Sequence, residues 1–401
     1  MFDQIFKVPG VVARYRKGPM LEERLAFLAH LADQGYTRKG LRVTAQGLLA
    51  IAQMRGLTSR PRKALTPNEV KRKTAKRRWL YRLAVRWLQF MGRLQQRPAP
   101  LTPWAKKIKA FADYMEHEAE LSPATICSRC SRVGQFFKQL RVQGGSLHAI
   151  TPHRIDTAFQ KMLAPGGYSR NTVQTAAGTL RAFFRFAEAR GWCRKGLAAS
   201  ICAPRVYSQA SLPLGPSWDD VRRLLAMTEG DQPRDIRNRP MLMLLAIYGL
   251  RRGEVSRLRL DDFDWEHEVF RVVSSKSGRV RTYPLTRSVG DAILRYLQEA
   301  RPRSAHRELF LSLRAPLRPI KQSSLSDVVS KWLRSLHVSL PHYGPHALRH
   351  ACATQLLAAG LSLKEIGDQL GHTNPESTRI YAKVDLPGLR EVADFDMGGV
   401  L

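Results

Sequence analysis

Most of the chain carries apolar residues at the i, i+3, i+4 spacing of amphipathic α-helices, and one short stretch alternates apolar and polar residues as β-strands do. The helical spacing predicts helices over 20–34, 66–92, 104–118, 122–143, 152–162, 169–190 and 218–227, and a long apolar helix within 239–260. The alternating stretch predicts strands over 268–273 and 279–285, joined by a hairpin turn at 274–278. The pattern therefore predicts a mainly α fold with a small antiparallel β-sheet.

The helix predicted over 66–92 has a clear start and two contrasting faces. Thr66 is placed as the N-cap, Pro67 as the first helical residue and Glu69 as the third, which is the pattern of a capping box. One face is apolar and typical of a core, whereas the other is basic and either is solvated or lies on phosphates. Residues 1–100 hold 22 Lys and Arg against 5 Asp and Glu, so we favour phosphates, with Lys73 and Arg77 as candidate DNA contacts.

Two proline-rich segments, at 97–103 and 204–216, interrupt the helical pattern and are typical of linkers. They divide the chain into three predicted parts. These are a basic helical N-terminal region over 1–98, a helical domain over 103–203, and a mixed, mainly helical domain over 214–401 that holds the predicted sheet.

The balance of charge indicates a polyanionic partner. The 401 residues include 66 Lys and Arg against 33 Asp and Glu, which gives a formal net charge of +33 and a pI near 10.7. An excess of this size produces a broad positive field. Nucleic acid is the partner that it favours, ahead of an anionic membrane surface.

The sequence predicts neither a membrane span nor export. Its longest apolar run, 241–250, covers ten residues, whereas a helix that crosses a bilayer needs about 20. Residues 2–6 mix apolar and polar types and do not show the basic-then-apolar pattern of a signal peptide. We therefore expect a cytoplasmic protein that stays with its DNA or RNA.

The cysteines do not predict a metal site. Five cysteines, an odd number, fit a reducing compartment. Cys127 and Cys130 form one CxxC pair, but a zinc site needs a second pair at suitable spacing, and Cys193 and Cys202 do not supply it. We interpret Cys127 and Cys130 as small buried or half-buried residues of a helix.

The helices predicted between 103 and 203 carry basic residues on their faces, as expected of a module that grips DNA. A generic helical bundle with solvated basic faces is the alternative interpretation. The candidate DNA contacts in this domain are Arg129, Arg132, Lys138, Arg170, Arg181 and Arg185.

A cluster of polar residues lies in the last quarter of the chain. His346, Arg349 and His350 are spaced i, i+3, i+4, so a helix places them on one face. A guanidinium binds a phosphate bidentately, and an imidazole gives or takes a proton beside it. Taken alone, this triplet is more typical of a solvated helix surface, and its interpretation depends on the residues around it.

These residues belong to a longer ordered pattern. Arg251 stands in the sequence Tyr-Gly-Leu-Arg-Arg-Gly-Glu, ahead of Lys276 in the predicted hairpin turn. The His-Ala-Leu-Arg-His sequence at 346–350 follows, then Leu-Gly-His ending at His372, then Tyr381 nine residues later. In order, spacing and surrounding residues, this pattern resembles the catalytic pattern of the tyrosine recombinase (phage integrase) family, with no departure at these positions.

The resemblance covers roughly residues 103–401 and implies a catalytic set. It implies that a tyrosine attacks a DNA phosphorus and becomes a phosphotyrosine. A phenol, with a pKa of about 10, is a better leaving group than an alcohol when the reaction reverses. The implied catalytic residues are Arg251, Lys276, His346, Arg349, His372 and Tyr381, with Glu254 and His350 as supporting residues.

The resemblance also implies a role for each side chain around the phosphate. Arg251 and Arg349 would hold the nonbridging oxygens, since guanidinium is planar, forked and always charged. Lys276 would protonate the departing 5′ oxygen. His346 would act as proton acceptor or phosphate donor, and His372 as a phosphate hydrogen-bond donor. We expect no metal and no other cofactor, because these groups supply the positive charge that a metal would bring.

The implied fold is a helical, SAM-like core-binding domain followed by an α+β catalytic domain. The implied function is site-specific DNA recombination, as integration or as transposition of a mobile element, through a 3′-phosphotyrosine intermediate and a Holliday junction. The implied partners are double-stranded DNA with inverted-repeat core sites, a homotetramer on paired sites, and accessory DNA-bending or sister recombinase proteins at a prokaryotic nucleoid. Type IB topoisomerase-like or resolvase activity, a non-catalytic DNA-binding protein on the same fold, and an RNA-binding protein stay open as alternatives.

Overall fold

The computed structural model is mainly helical, and one small antiparallel sheet lies among the residues that it describes, which confirms the expected fold class. These residues are 1–54, 64–74, 77–95, 102–140, 146–205, 215–274, 278–372 and 374–384. Most of both predicted linkers lies outside them, as does Lys276. The chain forms two compact units, Met1–Gln95 with Ser211–Leu401, and Gln96–Ala210. The division into three domains stays a prediction.

The N-terminal part of the first unit is built from helices, and Leu65 and Leu94 form an isolated β-bridge among its described residues. Its helices are α1 Phe2–Ile5, α2 Pro9–Lys17, α3 Leu21–Asp33, α4 Arg38–Ala52, α5 Pro67–Lys73 and α6 Arg78–Phe90. Their inward faces share one apolar cluster, in which Leu28, Leu48, Leu80 and Trp87 are fully buried. The helix predicted over 20–34 is confirmed as α3.

The prediction of one continuous helix over 66–92 is wrong, because the segment forms α5 and α6. The predicted start is confirmed, since Thr66 and Glu69 make both hydrogen bonds of a capping box. The first helix is followed by Thr74, whose hydroxyl donates to the carbonyl of Val70 at 2.9 Å.

The second unit is a helical bundle. Its helices are α7 Ala105–His117, α8 Pro123–Gln139, α9 Pro152–Leu163 and α10 Arg170–Ala189. They confirm the helices predicted in this region, although α8 ends at 139 rather than 143. Aromatic rings fill the core, where Phe183 lies 5.2 Å from Phe111 and 5.3 Å from Phe137 between ring centroids.

The C-terminal part of the first unit combines helices with the sheet. The helices are α11 Trp218–Ala226, α12 Pro233–Ala246, α13 Arg252–Val255, α14 Arg287–Arg295, α15 Gln322–Ser335, α16 Pro345–Ala358, α17 Leu363–Leu370 and α18 Glu376–Arg379. The strands are β1 Phe263–Asp264, β2 Val269–Val273 and β3 Val280–Pro284. Turns of 3-10 or π-helix occupy Leu260–Asp262, Tyr296–Ala300 and Ile380–Val384.

The sheet is antiparallel in the order β1-β2-β3 and confirms the predicted hairpin as β2 and β3. Phe270 of β2 lies opposite both Phe263 of β1 and Tyr283 of β3. Phe263 and Asp264 add a third strand to the two that the pattern predicts. The Phe263 and Phe270 rings stack with their centroids 5.4 Å apart, and this contact holds the short strand β1 against the sheet.

The long apolar helix, α12, positions the candidate site. It begins at Pro233, earlier than the predicted 239. Its side chains from Met241 to Ala246 are buried, and it packs against α14 and α16. Because this packing anchors the end of α12, the chain that leaves it towards Arg251 has a defined course.

Candidate active site

Three chain segments converge on Arg349, which lies on α16 and is 3% exposed. Its two terminal nitrogens donate to the carbonyl of Gly249 at 2.5 Å and to the carbonyl of Leu370 at 2.6 Å. A buried guanidinium is costly unless hydrogen bonds satisfy it, and these two bonds also align the group. Each terminal nitrogen carries a second hydrogen, which suits an anionic oxygen.

Arg251 precedes the short helix α13 and lies beside the same segments. Its terminal nitrogens donate to the carbonyl of Gly371 at 2.9 Å and to Oε1 of Glu254 at 3.1 Å. The backbone N–H of Arg251 donates to Oε2 of Glu254 at 2.8 Å. The Glu254 side chain is 0% exposed, so this carboxylate holds Arg251 from two sides inside the protein.

Two glycines of the sequence pattern allow these close approaches. Gly249 has φ +60° and Gly371 has φ +65°, in the left-handed region where other residues are strained. A Cβ on Gly371 would lie 2.6 Å from the guanidinium carbon of Arg281, and a Cβ on Gly249 would collide with the side chain of Leu370. Both glycines are therefore required by the backbone that carries the polar residues.

Arg281 on β3 is a residue of this cluster that the sequence analysis missed. It donates to Oε1 of Glu254 at 2.8 Å and to the carbonyl of Gln369 at 3.0 Å, and it contacts the hydroxyl of Tyr283. Glu254 is therefore shared by two arginines. A signal was present in the sequence, because Arg281 shares the inward-facing alternation of the buried Tyr283.

Three histidines lie around the arginines. His346 and His350 are one turn apart on α16 and their ring centroids are 4.4 Å apart, as the i, i+4 spacing predicts. Nδ1 of His372 lies 2.7 Å from Oγ1 of Thr378. Burial first, and nearby positive groups second, lower the pKa of all three imidazoles, to about 4 for His350 and about 4 for His372. The three side chains are therefore neutral at pH 7.

The Tyr381 hydroxyl lies 2.9 Å from Nδ1 of His350, and the residue is 2% exposed. It belongs to the 3-10 segment Ile380–Val384. The helix α18 before that segment spans a single turn. Burial raises the pKa of Tyr381 to about 12, so the phenol is protonated at pH 7.

Electrostatic coupling places the other predicted residues near these groups. The positive charges of Arg349 and Arg251 contribute to the lowered pKa of both His346 and His372. Lys276 lies outside the described residues. The strands on either side of it are described, and the amide of Ser274 donates to the carbonyl of Arg279 at 2.8 Å.

The basic residues predicted to contact DNA line grooves or lie on exposed helix faces. Arg129 and Arg132 of α8 line a groove of about 590 Å³ together with Thr175 of α10. Lys138 lines a groove of about 860 Å³ together with Lys161. Of the remaining candidates, Arg181 is half-buried, and the exposed ones are Arg170, Arg185, Lys73 and Arg77.

Metal sites and membrane spans are absent from the described part of the chain. No group of three or more His, Cys, Asp and Glu side chains there could hold a metal ion. Cys127 and Cys130 both lie on α8, which confirms their predicted helical location. Cys130 is half-buried as predicted, but the predicted burial of Cys127 is wrong, because its side chain is exposed. No helix in the same residues is long and apolar enough to cross a membrane.

Family models match both the second unit and the C-terminal part of the first unit. The model of the phage integrase N-terminal SAM-like domain matches residues 108–191, and the phage integrase family model matches residues 217–386. A putative integrase/recombinase of Sinorhizobium fredii, y4rA, is 37% identical over 289 residues, which cover 71% of this chain and 69% of that protein. The tyrosine recombinase XerA of Thermococcus kodakarensis is 30% identical over 298 residues, which cover 72% of this chain and 94% of that protein.

A solved structure shares the fold. The lambda integrase tetramer bound to a Holliday junction has a TM-score of 0.55 and 17% sequence identity, and the match covers 76% of this chain and 86% of that one. At this identity the likeness shows the fold alone. The two family models and the curated relatives add the sequence evidence, and together they show that this chain belongs to the phage integrase family of tyrosine recombinases.

Proposed function

We propose that this protein is a site-specific DNA recombinase that cuts and rejoins duplex DNA with Tyr381 as its nucleophile. The observation that carries the proposal is the position of the Tyr381 hydroxyl, 2.9 Å from His350 on the helix that also carries Arg349. A phenol, an acceptor for its proton and a guanidinium for the phosphate are the groups that attack on phosphorus needs. Family membership supports the proposal, since tyrosine recombinases are DNA strand-transferring enzymes.

In the cleavage step, the Tyr381 oxygen attacks the phosphorus of a phosphodiester. The Oη–P bond forms as the P–O5′ bond breaks, which leaves a 3′-phosphotyrosyl end and a 5′-hydroxyl. Nδ1 of His350 takes the phenolic proton, and Lys276 protonates the leaving 5′ oxygen. A 5′-hydroxyl of the partner strand then reverses the step and releases the tyrosine, so the phosphodiester energy is conserved.

Arg251 and Arg349 hold the nonbridging oxygens, where negative charge grows in the transition state. Backbone carbonyls align both guanidinium groups before DNA arrives, which reduces the reorganisation needed during the reaction. His346 and His372 donate hydrogen bonds to the same phosphate. Burial, with the like charge of Arg251 second, lowers the pKa of Arg349 to about 10, and an incoming phosphate relieves that repulsion.

The same geometry keeps Tyr381 unreactive until a phosphate binds. With a pKa of about 12 for Tyr381 and about 4 for His350, the proton stays on the phenol. A bound phosphate raises the pKa of the imidazole through its negative charge, because an opposite charge favours the protonated form. DNA binding and activation of the nucleophile are therefore coupled.

We infer that the basic grooves of the second unit contact the DNA backbone, and that protomers pair on inverted-repeat core sites and act as a tetramer. Arg129 and Arg132 in one groove supply cations for phosphates. The fold neighbour is a tetramer bound to a Holliday junction, which supports this assembly. The proposed setting is a prokaryotic nucleoid or mobile element, with DNA-bending or sister recombinase proteins as accessory partners.

Covalent capture tests the function. Full-length protein is incubated with fragmented DNA of its host, the reaction is stopped with SDS, and the ends of protein-linked DNA are sequenced. We expect ends clustered at one inverted repeat, and none with Tyr381→Phe. Tyr114→Phe, which removes the hydroxyl of a half-buried tyrosine of α7 outside the lining of both basic grooves, is the matched control and should retain capture.

Three outcomes decide between the alternatives. Linked ends that need no paired site and relax supercoils would indicate a topoisomerase-like activity. If the unchanged protein and Tyr381→Phe both bind DNA but neither becomes covalently linked to it, even on nicked DNA that traps the intermediate, the protein binds DNA without catalysis. Equal capture by the unchanged protein and Tyr381→Phe would mean that another residue is the nucleophile.

A further inference from the structure

Thr378 is a buried polar residue between His372 and Tyr381. It lies on the short helix α18 and is 3% exposed. Its Oγ1 is 2.7 Å from Nδ1 of His372, and Tyr381, the proposed nucleophile, follows three residues later in the chain. The contact therefore joins the His372 ring to the segment that carries the tyrosine.

The backbone around His372 is fixed by other contacts. The amide of His372 donates to the carbonyl of Gly367 at 2.8 Å, and the carbonyl of Gly371 accepts from Arg251 at 2.9 Å. A Cβ on Gly367 would lie 3.1 Å from Oγ1 of Thr378, so this hydroxyl packs closely against α17. Two properties of His372 are left to be set, namely the orientation of its ring and the nitrogen that carries its proton.

The direction of the hydrogen bond follows from the burial of the hydroxyl. Within the described part of the chain, Oγ1 of Thr378 has no other hydrogen-bond partner. A threonine hydroxyl has one proton to donate, and a buried donor without an acceptor costs free energy. Nδ1 of His372 is the acceptor within reach, so Thr378 donates and Nδ1 carries no proton.

The proton of His372 then lies on Nε2. Burial first, and the charges of Arg349 and Arg251 second, lower the pKa of His372 to about 4, so its neutral ring carries a single proton at pH 7. A neutral imidazole that accepts at one nitrogen donates at the other. The ring is half-buried beside these two guanidinium groups, so Nε2 is the nitrogen available to the phosphate that they bind.

We propose that Thr378 is a positioning residue for DNA cleavage, which holds His372 as the Nε2–H tautomer so that the imidazole donates to the phosphate. The opposite tautomer would present a lone pair to a phosphate oxygen, and two acceptors repel each other. The inference rests on the proposed function, because it concerns the task of His372 at the phosphate. Thr378 itself contacts no reacting atom.

The first measurement is the tautomer of His372 in the full-length protein at pH 7. Long-range ¹H–¹⁵N correlation spectra of ¹⁵N-histidine-labelled protein distinguish the two tautomers, and His372→Gln identifies its signals among the 11 histidines. We expect Nε2–H in the unchanged protein and both tautomers in Thr378→Val, which replaces the hydroxyl with a methyl group. A proton on Nδ1 in the unchanged protein would overturn the proposal.

The second measurement is the rate of covalent linkage to a nicked duplex that carries the captured sequence. We expect Thr378→Val to react at least about tenfold more slowly at saturating DNA, since partners that fix a histidine tautomer in metal sites contribute about 10–100-fold. The affinity for DNA should stay nearly unchanged, because the donor acts on charge that grows in the transition state. Thr378→Ser keeps the hydroxyl and should restore the rate. If Thr378→Ser is as slow as Thr378→Val, with unchanged circular dichroism, the proposal is wrong.

Thr228→Val is the matched control. Thr228 is 0% exposed at the end of α11, and its hydroxyl donates to the carbonyl of Leu225 at 2.6 Å. This variant should keep both the tautomer of His372 and the rate. A loss of rate equal to that of Thr378→Val would overturn the proposal, because any buried hydroxyl would then serve. Failure of the proposed function gives a different result, since the unchanged protein would form no linkage while its tautomer is still measured.

Discussion

The substitution Arg281→Met tests the arrangement of charge that holds the candidate active site together. The Glu254 side chain is 0% exposed and accepts hydrogen bonds from Arg251 at 3.1 Å and from Arg281 at 2.8 Å. The Arg281 side chain is 16% exposed. Methionine is unbranched and apolar, so it occupies much of the same space without the charge. The variant leaves Glu254 with one arginine.

The expected loss follows from these contacts. Removing one partner of a buried ion pair costs about 3–5 kcal/mol, because the other charge stays buried. Glu254 keeps Arg251, which favours the lower end of that range. The carbonyl of Gln369 and the hydroxyl of Tyr283 each lose a donor, which adds to the destabilisation. We therefore expect the free energy of unfolding of the first unit to fall by about 3 kcal/mol.

The assay is hydrogen exchange in increasing urea, read on peptides of α12 and α16, because these report the first unit separately from the second. Glu254→Gln and the double variant complete a thermodynamic cycle, and we expect a coupling of at least about 2 kcal/mol. Arg287→Met is the control, since that side chain is 96% exposed and 3.9 Å from Asp291, and it should change stability by less than about 0.5 kcal/mol. Losses that add within about 0.5 kcal/mol would refute the idea that Glu254 is held by shared charge.

Three further predictions concern a glycine and two histidines of the candidate site and a core ring of the second unit. Gly371→Ala adds a Cβ at φ +65°, 2.6 Å from the guanidinium carbon of Arg281. We expect it to lower the free energy of unfolding by about 1–3 kcal/mol in thermal melts and to abolish DNA cleavage. The control Gly178→Ala on α10, where a Cβ meets nothing within 4 Å, should raise the free energy of unfolding by about 0.5 kcal/mol. His350 and His372 have a pKa of about 4 in the folded state against an ordinary 6.5, so the folded state binds fewer protons than the unfolded state. Their contribution to stability is therefore full above pH 6.5 and is lost as the pH falls towards 4. A melting temperature of the first unit that stays constant over this range would contradict the assignment. Phe183→Ala removes a 0% exposed ring and should cost the second unit about 3–5 kcal/mol, and calorimetry should show the transition of the first unit unchanged.

The elements that could be predicted are those that local spacing and local capping define. The second unit illustrates this, because each of its helices has a regular apolar stripe and α8, α9 and α10 begin at a Ser or Thr that caps the helix. The break between α5 and α6 could not be predicted in this way. No proline or glycine stands between the two helices, so local sequence carries no breaking signal there.

Most of the candidate site could be predicted, since its chemistry lies in ordered motifs. Arg251, Arg349 and Tyr381 stand in such motifs, and the structure places them on neighbouring segments. For Arg281 the sequence offers only its place on the same strand face as Tyr283, which does not identify its partner Glu254. The contact between Tyr381 and His350 is also invisible in sequence, since 31 residues separate them.

The sequence by itself therefore determined the mainly helical fold, the basic character of the protein and the set of residues that can act on a phosphate. Those properties depend on residue type and short-range spacing. The tertiary structure alone decided that Glu254 is shared by two arginines and that His350 is the residue that contacts Tyr381, the proposed nucleophile. These are contacts between residues distant in sequence, and they exist only because burial of the apolar faces brings their helices and strands together.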